Sequence, residues 1–471
     1  MENKERDGGI LLISCYELGH QPLGIASPLG WLERAGFAPE VMDISVEPFD
    51  PEKVARAWFV GISVPMHTAL RLGVRLAERV REVNPRCHIC FYGLYASLNA
   101  DFLLEGVADT VIGGEYEAPL LALIEALARG RAAGENPAAV SLEGVAWRGQ
   151  TAAPVLKRLP FAAPRRDRLP SLERYAQLEE DGRRRPAGYV EASRGCLHHC
   201  RHCPIPPVYR GRFFVVPASV VLQDIRQQVA AGATHITFGD ADFLNGPGHS
   251  LKIVRAMHRE FPTVTFDFTA KVEHLLRYRS LLPELRELGC LFIVSAVESL
   301  SDTVLTILDK GHTREDVYKV LDIVREAGIT LRPTWVPFTP WTTLDDYLEM
   351  LRFIEAEGLV HHVDPVQYTV RLLVPPGSLL LTRPEIQPYL GPLDGESFSF
   401  RWTHPDRRMD ELQQAVSLVV EQAIRAGKDS VEIFEQVRAQ AYALRGLKPL
   451  PLMLSPHRQR RVPRLTEPWF C

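Results

Sequence analysis

The chain of 471 residues is 46% hydrophobic and 24% charged, a balance that builds a sizeable core and excludes a disordered chain. Its formal net charge of −4 argues against a strongly basic face, and no nucleic-acid partner is expected. The opening MENKERDGG lacks the apolar centre of a secretion signal, and no run approaches the ~18 apolar residues of a membrane span, so a cytoplasmic protein with no membrane partner is expected.

At roughly 100–200 residues per domain, the length predicts about three domains. GILLISC (9–15) reads as a buried strand, followed by a helix at 22–36. Further strands are predicted at 39–44, 57–63, 86–92 and 109–113, with helices at 66–84, 98–105 and 115–130. Strand and helix alternate, which predicts a doubly wound parallel sheet over residues 1–150. Residues 151–186, with APRRDRLP and DGRRRP, read as an arginine-rich linker, a solvated charge run.

A second alternation begins at 188. Strands are expected at 188–193, 234–239, 263–270, 291–297, 329–336 and 364–371, with helices at 218–231, 248–260, 273–288, 301–309, 314–327 and 343–357. Six strand–helix units predict a partial (β/α)6 barrel of the TIM type over 187–378, whose chemistry should gather at the C-terminal strand ends. Residues 379–471 read as a helical region, with helices at 408–426 and 429–444, and a tail. The fold class expected is therefore α/β.

Eight cysteines stand at 15, 87, 90, 196, 200, 203, 290 and 471. Without a secretion signal, metal binding, redox chemistry or burial explains them better than disulfides. Cys15 and Cys290 lie in or beside apolar strands, and Cys87 and Cys90 alternate on one interior strand, so all four read as core. The segment EASRGCLHHCRHCPIPPVYRGRF is different. It places Cys196-x3-Cys200-x2-Cys203 directly after the first barrel strand, with Gly195 and Pro204, Pro206 and Pro207 restricting the loop. Three thiolates on one loop can hold three irons of a cubane and leave the fourth iron open. The alternative is zinc bound by these cysteines with His198, His199 or His202.

On this motif the chain resembles the radical S-adenosylmethionine (SAM) superfamily, whose signature is CxxxCxxC. The resemblance covers about 188–378 and implies a [4Fe–4S] cluster on Cys196, Cys200 and Cys203. It also implies SAM as second cofactor, reductive cleavage of SAM to a 5′-deoxyadenosyl radical, and a reducing electron donor as partner. Other strand ends are candidates for SAM binding. Asp240 and Asp242 in GDADF stand where the family often has GGE near the SAM amino group, although an Asp there can also cap a turn. Lys271 follows the third strand. Glu298 and Ser299 match a position used for the SAM ribose, and Arg371 could hold a carboxylate or form an ordinary ion pair.

A doubly wound domain ahead of such a barrel resembles the cobalamin-binding domain of the cobalamin-dependent branch, and GGEYEAPLLAL (113–123) fits that branch, with glycines near a strand end approaching a cofactor. The branch's DxHxxG motif is absent. His20 in ELGHQPLG, at a different spacing, is the substitute cobalt ligand that can be named; a cobalamin held without a protein ligand and a domain with the fold but no cofactor are the other readings. The three segments EASRGCLHHCRHCPIPPVYRGRF, HITFGDADFLNGPGH and EPWFC also resemble the subfamily with a Cys-Cys or Cys-selenocysteine Ala-Glu-Pro tail. That implies a functional Cys471, as redox group, cluster ligand or substrate anchor, and a frame that continues past it through a UGA codon. The expected activity is radical modification of a small molecule or peptide, by methyl or alkyl transfer among other outcomes. A tRNA methylthiotransferase-like enzyme and a non-enzymatic iron–sulfur or cobalamin carrier are the alternatives.

Overall fold

The computed structural model describes residues 9–133, 141–452 and 461–466. The first sheet contains β1 (Ile10–Ser14), β2 (Glu40–Asp43), β3 (Phe59–Ser63), β4 (His88–Tyr92), β5 (Thr110–Ile112) and β6 (Val145–Trp147), in the order β2-β1-β3-β4-β5-β6. The first five are parallel and β6 runs antiparallel to β5. Between them lie α1 (Leu23–Arg34), α2 (Pro51–Arg56), α3 (His67–Val83), α4 (Leu94–Leu98), α5 (Ala100–Gly106) and α6 (Glu117–Ala133). Alternation along buried strands sends Leu11, Ile13 and Phe91 into one core and Ile10, Leu12 and Tyr92 into the other. Cys87 and Cys90 separate in the same way, one into each core.

The second sheet is built on β7 (Gln177–Glu180), β8 (Arg183–Val190), β11 (His235–Phe238), β12 (Thr265–Thr269), β13 (Cys290–Glu298) and β14 (Thr330–Trp335). Two small strands, β9 (Ser193–Gly195) and β10 (Phe213–Val215), form a separate hairpin after β8. Strand order is β14-β13-β12-β11-β8-β7-β17, with β17 (Arg464–Leu465) at the edge. Strands β8 and β11 to β14 are parallel, while β7 and β17 join antiparallel. The helices of this half are α7 (Ile205–Tyr209), α8 (Ala218–Ala230), α9 (Pro247–Glu260), α10 (Val272–Arg277), α11 (Leu282–Glu287), α12 (Asp302–Leu308), α13 (Arg314–Glu326) and α14 (Leu344–Ala356). Thr313 and Thr343 start α13 and α14 through reciprocal capping boxes with Asp316 and Asp346. A hairpin of β15 (Leu390–Asp394) and β16 (Ser399–Trp402) precedes α15 (Arg407–Arg425) and α16 (Ser430–Ala443), which pack Val416, Val420, Phe434 and Val437 onto the barrel core.

Three expectations change. The sixth barrel strand is a 3-10 turn over Pro365–Tyr368 plus one parallel bridge between Phe338 and Arg371. Pro365 has no N–H for a ladder, and the Gln367 side chain accepts the Trp335 N–H at 2.8 Å in place of a backbone partner. The helix expected at 273–288 breaks in two, with Pro283 in the first turn of α11. The arginine-rich segment is more than a linker: its last part is the β7–β8 hairpin, and Arg166 is buried.

Arg166 holds Asp224 on α8 through two bonds of 2.9 Å. It also donates to the carbonyls of Gln21 (2.9 Å) and Tyr189 (2.8 Å), so one guanidinium joins the first sheet's β1–α1 loop, the connecting segment and the barrel. Asp224→Ala should destabilise the protein by about 3–5 kcal/mol, because it leaves a buried arginine without its anion. Chemical denaturation checks this; a loss below ~1 kcal/mol would mean the pair is dispensable.

Candidate functional site

The cysteine loop is closed at its base. After β8, β9 and β10 pair antiparallel, with Gly195 opposite Phe213, and the Cys196 N–H donates to the Arg212 carbonyl at 3.2 Å. Residues 196–212 are thus a loop stapled at both ends. Gly195 has φ +78°, and a Cβ there would lie 2.4 Å from the Arg212 carbonyl oxygen and 2.6 Å from the Tyr209 ring. Only glycine fits that junction.

Cys196 and Cys200 are buried, Cys203 is half-buried, and none is in a disulfide. Burial raises the Cys196 thiol and pushes Cys203 up to about 12. Such groups keep their protons unless a bound cation takes the proton's place, which iron does. The surroundings favour a thiolate bound to metal. The His198 N–H and the Asn245 side-chain amide point at Cys196 Sγ, at 3.5 and 3.6 Å, and the Lys310 charge acts on Cys203. Two of the three histidines of the zinc alternative also make other contacts. His198 Nε2 faces His274 Nε2 at 3.2 Å and its Nδ1 faces Lys271 Nζ at 3.1 Å. His202 Nε2 sits 3.4 Å from Glu298. Cys15, Cys87, Cys90 and Cys290 are buried in the apolar cores, and Cys471 lies outside the described residues.

The strand ends divide by what they touch. Asp240 accepts the Ala192 N–H at 2.9 Å and the Ser193 hydroxyl, and burial pushes it up to about 6. It braces the approach to the cysteine loop. Asp242 caps the following turn through the Leu244 N–H at 2.9 Å, accepts the Lys271 N–H at 3.1 Å, and lies 2.9 Å from His274 Nδ1. Glu298 ends β13 in a left-handed conformation, φ 65°. It pairs with Lys310 at 3.2 Å and faces His202; despite opposing burial, Lys310 holds the carboxyl down at about 2. Ser299 Oγ accepts the Ser301 N–H at 3.0 Å. Arg371 does not join this group. Its guanidinium pairs with Asp410 at 2.6 Å, donates to the Trp402 carbonyl at 2.7 Å and stacks 3.5 Å over the Trp402 ring, tying the barrel to the C-terminal region.

The first sheet meets the loop through Arg194, two residues before Cys196. Arg194 Nη1 lies 2.7 Å from Glu117 and 3.5 Å from Glu115, and its Nε donates to Glu191 at 3.1 Å. Ser27 donates to Glu117 at 2.6 Å and Tyr209 to Glu115 at 3.0 Å. The neighbouring glycines serve the chain's own packing. A Cβ on Gly113 would strike Ser97 at 2.5 Å, and one on Gly114 the Val155 carbonyl at 2.4 Å, so they form no open cradle for a cofactor. His20 turns away from that sheet and stacks on Tyr189 of the barrel, with ring centroids 4.7 Å apart. Arg194, Lys310, Asn245 and His274 were not singled out from the sequence; for Arg194 the usable signal was its place in SRGC.

Residues 190–354 match the Radical SAM superfamily. Hopanoid C-3 methylase of Methylococcus capsulatus is 26% identical over 328 residues, which are 68% of this chain and 62% of that protein. A ribosomal protein uS12 methylthiotransferase of Chlorobium phaeobacteroides is 23% identical over 36% of this chain and 40% of its own length. This chain therefore spans less than two thirds of those relatives. Two solved structures share the fold. The cobalamin-dependent SAM radical enzyme OxsB, with aqua-cobalamin and SAM bound, has TM-score 0.69 and 16% identity, covering 88% of this chain and 67% of OxsB. The radical SAM methyltransferase TsrM of Kitasatospora setae, with cobalamin and a [4Fe–4S] cluster, has TM-score 0.58 and 17% identity, covering 74% of this chain and 73% of TsrM.

Gly195→Ala should cost about 1–3 kcal/mol of stability and reduce iron retained after reconstitution, since the loop cannot close with a side chain at its base. Iron and sulfide assays beside a melting curve check it; full iron content would show that the junction tolerates a Cβ.

Proposed function

We propose that this protein is a radical SAM enzyme acting on a small-molecule substrate, with methyl or alkyl transfer as the reaction class. The observation that carries the reading is the set of three free cysteines on a stapled loop at the C-terminal end of β8, inside the segment that matches the superfamily. A [4Fe–4S] cluster with SAM bound supplies reductive cleavage of SAM and hydrogen abstraction from the substrate. The chain's residues hold and shape that site. Cys196, Cys200 and Cys203 are the ligands, and Asn245 and the His198 amide orient donors at Cys196. Lys310 fixes Glu298, the residue assigned to the SAM ribose with Ser299, and Asp240 positions the loop from behind. Glu115, Glu117 and Arg194 pack the first sheet against the loop, which excludes water from that side. A reducing electron donor and a cytoplasmic setting complete the proposal; among the described residues no helix is long and apolar enough to cross a membrane.

Cobalamin is the third cofactor of this proposal, supported by the doubly wound sheet abutting the cysteine loop in the order of fold shared with OxsB and TsrM. Bound cobalamin supplies a transferable methyl or alkyl group. In this proposal His20, whose ring stacks on Tyr189, is not the cobalt ligand. On the tail resemblance the proposal also places the protein in the subfamily with a Cys-Cys or Cys-selenocysteine Ala-Glu-Pro tail; the nucleotides after the Cys471 codon test this directly.

The main experiment is anaerobic reconstitution with iron and sulfide, reduction, and addition of SAM. Production of 5′-deoxyadenosine is expected, with loss in Cys196→Ala, Cys200→Ala and Cys203→Ala. A complete cluster in wild-type protein that never cleaves SAM would sink the reading. For cobalamin, protein reconstituted with hydroxocobalamin should retain about one per chain, and His20→Ala should retain as much. Failure of wild type to retain any overturns the cobalamin proposal, and loss in His20→Ala alone would reinstate that histidine as ligand.

A further inference from the structure

The interior of a TIM-type barrel is normally filled by branched apolar side chains. Here it holds a cavity of about 150 Å³ whose lining is mainly apolar but into which Thr237, Asp267, Thr269, Arg332 and Thr334 bring polar groups. Leu18 and His20 from the first sheet's loop and Leu465 of β17 close it from the sides. Tyr189 leans across it, and Gly239 opposite has no room for a Cβ, which would lie 1.9 Å from the Tyr189 hydroxyl.

Three charged side chains face this space: Arg332, its partner Asp364, and Asp267. Arg332 is 6% exposed; its Nη2 is bound to Asp364 at 2.8 Å, and its buried Nη1 has no hydrogen-bond partner. A buried guanidinium nitrogen left without an acceptor is costly, and it lines the cavity. Asp267, 2% exposed, receives His235 Nε2 at 2.8 Å and the Thr237 hydroxyl at 2.7 Å, both on Oδ1. The register places Thr269, Val294 and Arg332 level on β12, β13 and β14, with Asp267 two residues earlier on β12. Arg332 and Asp267 thus stand two strands apart and offset by two residues, about 11–12 Å at the backbone, with their side chains lining the same space. Two residues beyond Thr269, the Lys271 backbone N–H donates to Asp242 at 3.1 Å.

We propose that this cavity binds a small zwitterion, an amino acid of about six to eight non-hydrogen atoms, whose carboxylate takes Arg332 Nη1 and whose ammonium faces Asp267. The size follows from the volume, which in a protein interior accommodates about a six-membered ring. A dianion is disfavoured because Asp267 faces the same space. Asp364 pairs with Arg332 through Nη2 only, so a cation alone leaves Nη1 without an acceptor. The threonine hydroxyls accept or donate as the ligand requires. That the zwitterion is the substrate rests on the radical SAM reading; that it binds does not.

The test is calorimetric or ligand-observed NMR titration of the full-length, cluster-reconstituted protein without SAM or reductant, using L-alanine, L-serine and L-threonine as probes. Saturable binding is expected for at least one. L-lactate, which lacks the ammonium, and ethanolamine, which lacks the carboxylate, should bind about tenfold more weakly or worse. Arg332→Gln should lose about tenfold in affinity or more. Because that change strands Asp364, the pair Arg332→Gln with Asp364→Asn is the second variant, accepted when its melting temperature matches wild type. Asp267→Asn should weaken the amino acid and leave lactate unchanged. No binding by any of the three amino acids, undiminished binding in the double variant, or lactate or ethanolamine bound as tightly overturns the proposal. Amino-acid binding without SAM cleavage would defeat the enzymatic reading alone, and SAM cleavage without amino-acid binding would defeat this inference alone.

Discussion

A charged group with almost no access to water organises this molecule. Arg194 is buried, and a lone guanidinium there would cost several kcal/mol. It persists because Glu115, Glu117 and Glu191 surround it and the Tyr116 and Phe161 rings lie 5.5 and 5.2 Å from its charge. Those partners come from three places: the end of the first sheet, the connecting segment and the start of the cysteine loop. The charges are satisfied only when both sheets are docked, so the pairing fixes their relation. Since Arg194 is two residues from Cys196, the same constraint sets the first ligand.

From that fixed point the rest of the loop is determined by close contacts rather than by regular structure. Gly195 admits the chain where no side chain fits, and Asp240 holds Ala192 and Ser193 from the neighbouring strand. Lys310 and Glu298 close the far side, with Glu298 in a backbone conformation that costs energy for a residue with a Cβ. The strain is compensated by a buried ion pair that reaches His202, between the second and third cysteines. Such a loop is preorganised, and a cluster built on it need not order its ligands first.

Much of this was legible in the sequence, because it rests on local periodicity and spacing. The apolar runs at β1, β3 and β4, the strand–helix alternation and the cysteine spacing are all short-range signals. What escaped the sequence depends on distant partners. Arg371 reads as a carboxylate holder or an ordinary ion pair alike, and only the folded chain decides for the pair with Asp410 and the Trp402 ring. Arg166 reads as part of a solvated charge run until Asp224 buries it. Gly113 and Gly114 resemble a cofactor cradle until Ser97 and Val155 occupy the space. The sixth barrel strand has a strand-like composition at 364–371, but Pro365 and the Gln367 side chain divert its ladder.

The loop carrying His20 shows why the two sheets function as one body. A loop that served only a cofactor on the first sheet would keep its histidine there. This one sends His20 into the side of the barrel, where it stacks on Tyr189, while Arg166 clamps the adjacent Gln21 carbonyl. Burial pushes His20 down to about 4, so it is neutral near pH 7 and adds no charge to the barrel interior. An uncharged aromatic wall beside Asp267 leaves that carboxylate's field uncompensated from this side, whereas a charged imidazolium there would have cancelled it. The first sheet thus shapes the polarity of the space in which the second would hold its substrate, and separating the two would alter selectivity even with the cysteine loop intact.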